Sequence, residues 1–181
     1  MDIKEKAILS KAQKLNHWNS KKLYYAIGKK HQRLWTVKRG EVYFVDLGEN
    51  IGSEQSAIRP CVVLQSNAYN FKSPVFTCAI ISNSRITIPD IQILITNDYY
   101  YIDENSVQKK LSGAIDLGQI KTVAKERLLM KVCDLKEEIS DIDKALLNAL
   151  GLSLILKKKD NIITSLQGKI QYMKENLQNC T

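Results

Sequence analysis

The sequence is poor in the residues that build metal and disulfide sites. It has two histidines in 181 residues, His17 and His31, and neither has other ligands at the short spacings of a zinc site. Its four cysteines are far apart and form no CxxC pair, and we expect those in apolar segments to be small buried residues in a reducing cytosol: Cys61, Cys78 and Cys133. Neither a zinc site nor a catalytic histidine is predicted.

Long apolar runs are also missing. The longest candidate, ALLNALGLSLIL, is interrupted by Asn and Ser and is shorter than the roughly 20 residues that span a bilayer. The first residues, MDIKEKAILSKAQK, lack the apolar core of a signal peptide. We therefore expect a cytosolic protein with no membrane contact. With 44% hydrophobic residues it can bury a core, as one domain with additions or as two small ones.

The net charge of +8 is unevenly distributed. Residues 1–39 contain eleven of the 27 basic residues and two of the 19 acidic ones, which gives them +9. The remaining 16 basic and 17 acidic residues leave residues 40–181 at −1. Any strong nonspecific attraction to nucleic acid therefore belongs to the N-terminal part.

Residues 1–36 are predicted to form a basic helical arm. Ile8, Ala12, Leu15 and Trp18 follow the spacing of one helix face. The stretch NHWNS at 16–20 is rich in turn and cap formers, which favours two helices, the second near 21–34. The arm is either an electrostatic handle on RNA or a helix that packs its apolar stripe on a partner or on the rest of the chain.

Residues 37–155 show a different pattern, in which short apolar segments alternate with loops marked by Gly and Pro. A long loop, 48–58, follows the first segment, and an amphipathic helix follows the last, within 136–152. This order predicts a small antiparallel barrel or half-barrel closed by one helix. The predicted strands are VKRGEVYFVDL, PCVVLQS (60–66), VFTCAIIS (75–82), IQILIT (91–96), SGAIDLGQIKTV (112–123) and LLMKVCDL (128–135).

Residues 156–181 are predicted to form a separate amphipathic helix. Apolar residues recur at alternating spacings of three and four, which is a heptad pattern, although it is short for an independent coiled coil. The helix is expected to dock on the N-terminal arm or on a second subunit; the alternative is a frayed surface helix. The stripe consists of Ile163, Leu166, Ile170, Met173 and Leu177.

One stretch carries a specific motif. The segment KRGEVYFVDLGENIGSEQSAIRPCVVLQSNAYNFKSPVFTCAIIS (38–82) resembles the opening of the MazF/PemK family of toxin endoribonucleases, and GSEQ followed by RP is its most specific part. LGQIKTVAKERL resembles a later family segment, and the similarity covers roughly residues 37–155. The resemblance implies an SH3-like barrel, here with N- and C-terminal helical extensions.

The resemblance also implies a function. Members form homodimers, cleave single-stranded RNA at short motifs without metal or cofactor, and are neutralised by a cognate antitoxin. The family's catalytic arginine corresponds to Arg59 and its catalytic Thr or Ser to Ser82, and a glutamate often placed in the active site corresponds to Glu54. Serine keeps the hydroxyl at position 82 but loses the β-methyl group that stiffens the side chain.

The chemistry of RNA cleavage fits these residue types. The ribose 2′-OH must lose its proton, negative charge must be stabilised on the phosphorus, and the leaving 5′-oxygen must gain a proton. A carboxylate such as Glu54 can act as the base. The guanidinium of Arg59 can bind two phosphate oxygens, with acid catalysis as its alternative role, and the hydroxyl of Ser82 can orient the phosphate or donate a hydrogen bond. The alternative is that Glu54 and Arg59 form only a surface salt bridge.

Weaker candidates surround these three. Other residues of the motif loop, of the loop after Ser82 and of the QIK segment are predicted to bind substrate: Gly52, Ser53, Gln55, Asn83, Ser84, Arg85, Gln119 and Lys121. The run Tyr99–Tyr101 either stacks bases or forms a tyrosine cluster at an interface. The alternative for the whole protein is a noncatalytic module of the same fold that binds nucleic acid or protein, because fold does not fix function.

Overall fold

The computed structural model describes residues 2–28, 36–83 and 88–178. Within them, six strands form one antiparallel sheet in the order β4-β7-β3-β2-β1-β8, and β5 and β6 form a hairpin. The strands are β1 Glu41–Asp46, β2 Ile58–Val63, β3 Val75–Ser82, β4 Gln92–Leu94, β5 Tyr99–Ile102, β6 Gln108–Leu111, β7 Ala114–Ala124 and β8 Leu128–Asp134. The helices are α1 Ile3–Gly28, α2 Asn67–Asn70, α3 Ile139–Ala149 and α4 Ser153–Gln178, and a 3-10 turn lies at Lys125–Arg127.

Strand β3 lies inside the sheet, as its continuous apolar run predicts. On one face, Ala79 and Ile81 pack in a cluster that α3 covers with Ile142. On the other face, Phe76 and Ile80 belong to a second apolar cluster. Because β3 contributes side chains to both clusters, it links two apolar layers. Each large apolar side chain buried in this way contributes roughly 1.5–3 kcal/mol.

Helix α1 corrects one prediction. The stretch NHWNS does not divide the arm, because α1 runs without interruption through residues 16–20. The hydroxyl of Ser20 donates to the carbonyl of Asn16 (3.2 Å), so this polar residue is satisfied inside the helix. The second helix predicted near 21–34 therefore begins as part of α1, and its residues from 29 onward lie outside the described part of the chain.

The hairpin β5–β6 was not predicted, because its second strand is polar on the surface. Tyr99 and Tyr101 turn toward the first apolar cluster, and Tyr101 meets Phe44 edge to face at 5.3 Å between ring centroids. The hydroxyl of Tyr99 donates to Glu138 (2.7 Å). These two rings are structural, while Tyr100 is exposed.

Several predicted boundaries also shift. The strand predicted over 91–96 is only β4, three residues long, and β2 starts at Ile58 rather than at Pro60. Pro60 pairs with Phe44 of β1, and β3 joins β2 only from Cys61 onward, so Pro60 lies where β2 has a partner strand on one side.

Helix α4 has no buried side chain among its described residues. Every side chain from 154 to 176 is exposed, so α4 does not dock on α1 within this chain. Docking on a second subunit and the alternative of a surface helix both stay predictions. No helix in the described part of the chain is long and apolar enough to cross a membrane.

Candidate active site

The motif GSEQSAIRP lies mainly in the loop between β1 and β2, residues 48–57, which we call the motif loop. Its two ends are tied together: the amide of Leu47 donates to the carbonyl of Ala57 (2.9 Å), and the amide of Ala57 donates to the carbonyl of Gly48 (2.7 Å). Ala57 has a φ of 66°, a left-handed conformation that costs an L-residue about 1–2 kcal/mol. The loop therefore has a closed and strained neck.

The tip of the motif loop folds onto β7. The amide of Gln55 donates to the side-chain oxygen of Gln119 (3.0 Å), whose nitrogen donates to the carbonyl of Ser53 (3.3 Å). Lys121 forms a salt bridge with Glu54 (3.2 Å). Three predicted site residues of the loop and both of the QIK segment are thus in contact, although they are more than 60 positions apart.

An irregularity in β7 creates the surface that receives the loop. Ala79 pairs with Ile120 but Ile80 pairs with Asp116, so residues 117–119 bulge out of the ladder. The buried carboxylate of Asp116 accepts a hydrogen bond from the amide of Gly118 (2.9 Å). The strand predicted over 112–123 is therefore continuous as β7, with this bulge around Gly118.

An open cleft of about 560 Å³ lies between the loop tip and the bulge. Ser53 and Glu54 form one wall, and the other consists of Gly118, Gln119, Ile120, Lys121 and Thr122. With a carboxylate, an ammonium group and an amide at its walls, the cleft can contact both the phosphate and the base of a nucleotide.

Arg59 is not among the residues that line this cleft; it lies in β2, two residues after the motif loop whose tip forms one wall. Its Nε donates to the carbonyl of Ser56 (3.2 Å). Within the described residues no carboxylate forms a salt bridge with it, so the predicted alternative of a Glu54–Arg59 pair is wrong. The half-buried guanidinium is therefore oriented but not neutralised by an anion.

The strand register places Arg59 and Ser82 on the same face of the sheet. Cys61 of β2 pairs with Ile80 of the antiparallel β3. Arg59 lies two residues before Cys61 and Ser82 two residues after Ile80, so both side chains are on the same face as that pair. Lys121 is on the same face, because it pairs with Cys78. The three residues thus come from three adjacent strands and face one side.

Ser82 is nearly buried at the end of β3. Its hydroxyl is 3.5 Å from the carbonyl of Ala114, at the limit of a hydrogen bond. Gly113 packs against it: a Cβ at 113 would lie 2.0 Å from the Ser82 carbonyl oxygen, and the φ of 126° favours glycine. The hydroxyl therefore has a weak partner that a phosphate oxygen can replace.

The other predicted substrate contacts are less constrained. Gly52 is exposed, has a φ of 61° and has open space where a Cβ would lie. Asn83 is exposed after β3. Ser84 and Arg85 lie outside the described residues.

Two features near the site were missed from the sequence. Asp116 is a lone carboxylate in an apolar strand two residues before a glycine, a signal that could have predicted its bond to Gly118. The ring of Trp18 in α1 also packs against Gly48 at the start of the motif loop, and no sequence signal indicated this contact. Within residues 2–28, 36–83 and 88–178, no three His, Cys, Asp or Glu side chains come together as metal ligands.

Known proteins resemble this chain across the barrel. It is 37% identical over 117 residues to endoribonuclease EndoA of Bacillus subtilis (strain 168), a match that covers 64% of this chain and 96% of the relative. The solved structure of an endoribonuclease from a mycobacterial species superposes with a TM-score of 0.51 at 23% identity, covering 67% of this chain and 97% of that one. This likeness confirms the predicted fold, a mostly antiparallel barrel with helical extensions.

A second mycobacterial structure is an endoribonuclease in complex with its cognate antitoxin. It has a TM-score of 0.50 and 25% identity, and the match covers 64% of this chain and 96% of that one. Residues 38–150 match the family described as the PemK-like, MazF-like toxin of type II toxin–antitoxin systems. Since this match spans more than half of the chain, the protein belongs to the PemK-like, MazF-like toxin family.

Proposed function

We propose that this protein is an endoribonuclease toxin that cleaves single-stranded RNA without a metal ion and leaves 2′,3′-cyclic phosphate and 5′-OH ends. The observation that carries the proposal is the placement of Arg59. It has no paired carboxylate in the described chain, and it lies on the sheet face that also carries Ser82 and Lys121, of which Lys121 lines the cleft. A cation held in this way can bind a phosphate in its transition state.

Each step of the reaction has a candidate residue. Glu54 takes the proton of the ribose 2′-OH, and the 2′-oxygen attacks the adjacent phosphorus. Arg59 binds the two nonbridging oxygens as their charge grows, and Ser82 donates a hydrogen bond to one of them. The bond from phosphorus to the 5′-oxygen then breaks, and that oxygen takes a proton from water. Arg59 is assigned to phosphate binding because a guanidinium does not give up its proton in proteins.

The salt bridge between Lys121 and Glu54 belongs to the free protein. When RNA enters, the phosphate competes for the ammonium group, and Glu54 becomes available as a base. Ser53, Gln55 and Gln119 form the rest of the wall, where their amide and carbonyl groups can hydrogen-bond to an unpaired base. We assign Gly52 and Asn83 to the rim of this binding surface; Ser84 and Arg85 stay predictions from the sequence.

We further propose that the protein acts in the cytoplasm as a homodimer and that a cognate antitoxin neutralises it. The family membership and the complex formed by the mycobacterial relative support the antitoxin. The free thiols of Cys61, Cys78 and Cys133 suit a reducing compartment.

The end chemistry of the products tests the proposed reaction. A long single-stranded RNA is incubated with the full-length protein in EDTA, and the 5′ ends are mapped with and without prior kinase treatment. We expect discrete cuts whose 5′ ends become ligatable only after phosphorylation, and whose 3′ ends carry a cyclic phosphate. Ends with a 5′-phosphate, or cleavage that requires added Mg²⁺, would show that the proposed chemistry is wrong.

A further inference from the structure

Helix α1 lies against the first residues of the motif loop. The indole of Trp18 stacks on Gly48 so closely that a Cβ there would lie 2.1 Å from the ring. Trp18 is 7% exposed, whereas Leu23 of the same helix is 62% exposed. Gly48 has a φ of 72°, which glycine adopts without strain, and its amide donates to Asp46 (3.0 Å). The contact depends on the absence of a side chain at position 48.

Polar contacts hold the residue that precedes the loop. Oδ2 of Asp46 accepts hydrogen bonds from Lys21 Nζ (3.2 Å) and from the hydroxyl of Tyr25 (3.0 Å), both of α1. The guanidinium of Arg127 lies 5.0 Å from the centroid of the Trp18 ring, and its Nε donates to the Asp46 carbonyl (2.7 Å). The end of β1 is therefore fixed by α1 on one side and by the turn before β8 on the other.

The neck of the motif loop passes this constraint to the site. Because the amide of Ala57 is bonded to the carbonyl of Gly48, a displacement at Gly48 also moves Ala57, which is two residues before Arg59. We propose that Trp18 is a positioning residue: by holding Gly48, it keeps Glu54 and Arg59 in the geometry that cleavage requires. The catalytic part of this inference rests on the proposed function; the structural part, that α1 orders the loop, does not.

The charges on α1 favour this role over that of an RNA handle. On the side that faces the loop, Lys11 lies 2.5 Å from Glu49, and Lys21 pairs with Asp46. A lysine that neutralises a carboxylate of its own chain contributes little to the counterion release that drives RNA binding. This side of the helix therefore acts on the loop rather than on phosphates.

Hydrogen exchange of the full-length protein without RNA tests the structural part. The variants are Trp18→Ala, Trp18→Phe and, as a control on the exposed side of α1, Leu23→Ala. We expect the amides of Leu47 and Ala57 to exchange at least about tenfold faster in Trp18→Ala, with a smaller increase in Trp18→Phe and none in the control. Amides of β3 should keep their protection. Unchanged exchange at the loop neck in Trp18→Ala would overturn the proposal.

Steady-state cleavage of single-stranded RNA tests the catalytic part. A misplacement of about 1 Å can lower the rate roughly a hundredfold, so we expect kcat to fall by about 10- to 100-fold in Trp18→Ala while KM changes less than about threefold. Trp18→Phe should restore most of kcat because a ring again covers Gly48. A rise in KM that depends on salt, with kcat unchanged, would instead make α1 an RNA-binding arm and overturn the proposal.

A milder variant covers the case in which Trp18→Ala does not fold. Tyr25→Phe removes only the hydroxyl that donates to Asp46 and should change exchange and kcat in the same direction by a smaller factor; no change in either contradicts the proposal. If wild-type protein cleaves no RNA, the proposed function fails. The exchange experiment still decides whether α1 holds the loop.

Discussion

At the scale of single residues, the two cations near the cleft have different surroundings. Arg59 contacts a backbone carbonyl, whereas Lys121 pairs with Glu54. The carboxylate of this pair is 60% exposed, and such pairs contribute only about 0–1 kcal/mol to stability. Lys121 is therefore expected to matter for RNA rather than for folding.

Substituting Lys121 tests that distinction. We expect Lys121→Ala to lower kcat/KM for RNA by about tenfold, mainly through KM and more strongly at low salt, since one phosphate contact is lost. The matched control is Lys144→Ala, which breaks an exposed Lys–Asp pair on α3. In a urea titration, the free energy of unfolding of both variants should lie within about 1 kcal/mol of the wild-type value. Equal kinetics for the two variants would remove Lys121 from the site.

Gly113 gives a prediction about stability and about Ser82. Gly113→Ala places a Cβ 2.0 Å from the carbonyl oxygen of Ser82 and should destabilise the protein by about 2–4 kcal/mol. Gly151→Ala separates strain from clash, because Gly151 also has a positive φ (70°) but open space around it. It should cost about 1–2 kcal/mol. A urea titration that ranks the two variants equally would contradict the contact at Ser82.

At the scale of elements, two of the polar contacts that dock α1 converge on one carboxylate, that of Asp46. Burial acts to raise the pKa of Asp46, but donors from Lys21, Tyr25 and Gly48 together lower it below its ordinary value. Burial and the bond to Asp46 raise the pKa of Tyr25 to about 12, so its hydroxyl remains a donor at neutral pH. Arg127, from the turn before β8, adds a positive charge beside this group.

The pH dependence of docking follows from that lowered pKa. A carboxyl group whose pKa is lower in the folded state contributes stability above its unfolded pKa, about 3.9 for Asp, and loses it as the pH falls through the folded value. We expect α1 to loosen below about pH 4. The measurement is Trp18 fluorescence in a Trp35→Phe background. In Asp46→Asn, α1 should already be more loosely docked at neutral pH, and the change in fluorescence on acidification should be absent. A fluorescence transition that persists in this variant would assign the pH effect to another group.

The elements that could be predicted from sequence are those with a strong local pattern. The continuous apolar run 75–82 and the amphipathic stretch around Ile142 correspond to β3 and α3 in the structure. Contacts between distant segments could not be predicted. Nothing periodic links Trp18 to Gly48 or Glu54 to Lys121, and these pairs arise only when the sheet brings their segments together.

At the scale of the whole molecule, α4 adds length but no buried side chain among its described residues. Because the described side chains from 154 to 176 are all exposed, removing residues 154–181 should leave the stability of the sheet unchanged within about 1 kcal/mol. A thermal melt followed by circular dichroism, compared with full-length protein at the same low concentration, checks this. A large loss of stability would show that α4 supports the sheet, alone or through a second subunit.

The division into an arm, a barrel and a terminal helix remains a proposal at this scale, and the barrel carries the central claim. That claim is that Arg59 binds the phosphate of the scissile bond. The family assignment gives the class of protein, whereas the role of Arg59 rests on the sheet face that it shares with Ser82 and Lys121 and on its lack of an anionic partner in the described residues.

The most direct test is the single-turnover cleavage rate of a short single-stranded RNA in EDTA, for wild type, Arg59→Ala, Arg59→Lys and the control Lys144→Ala. The account predicts a loss of about a hundredfold to a thousandfold in Arg59→Ala, as for other removed transition-state donors. Arg59→Lys should recover part of the rate, because lysine keeps the positive charge but cannot donate two parallel hydrogen bonds to the phosphate. The control should match wild type. A well-folded Arg59→Ala protein that cleaves RNA at the wild-type rate would contradict the account.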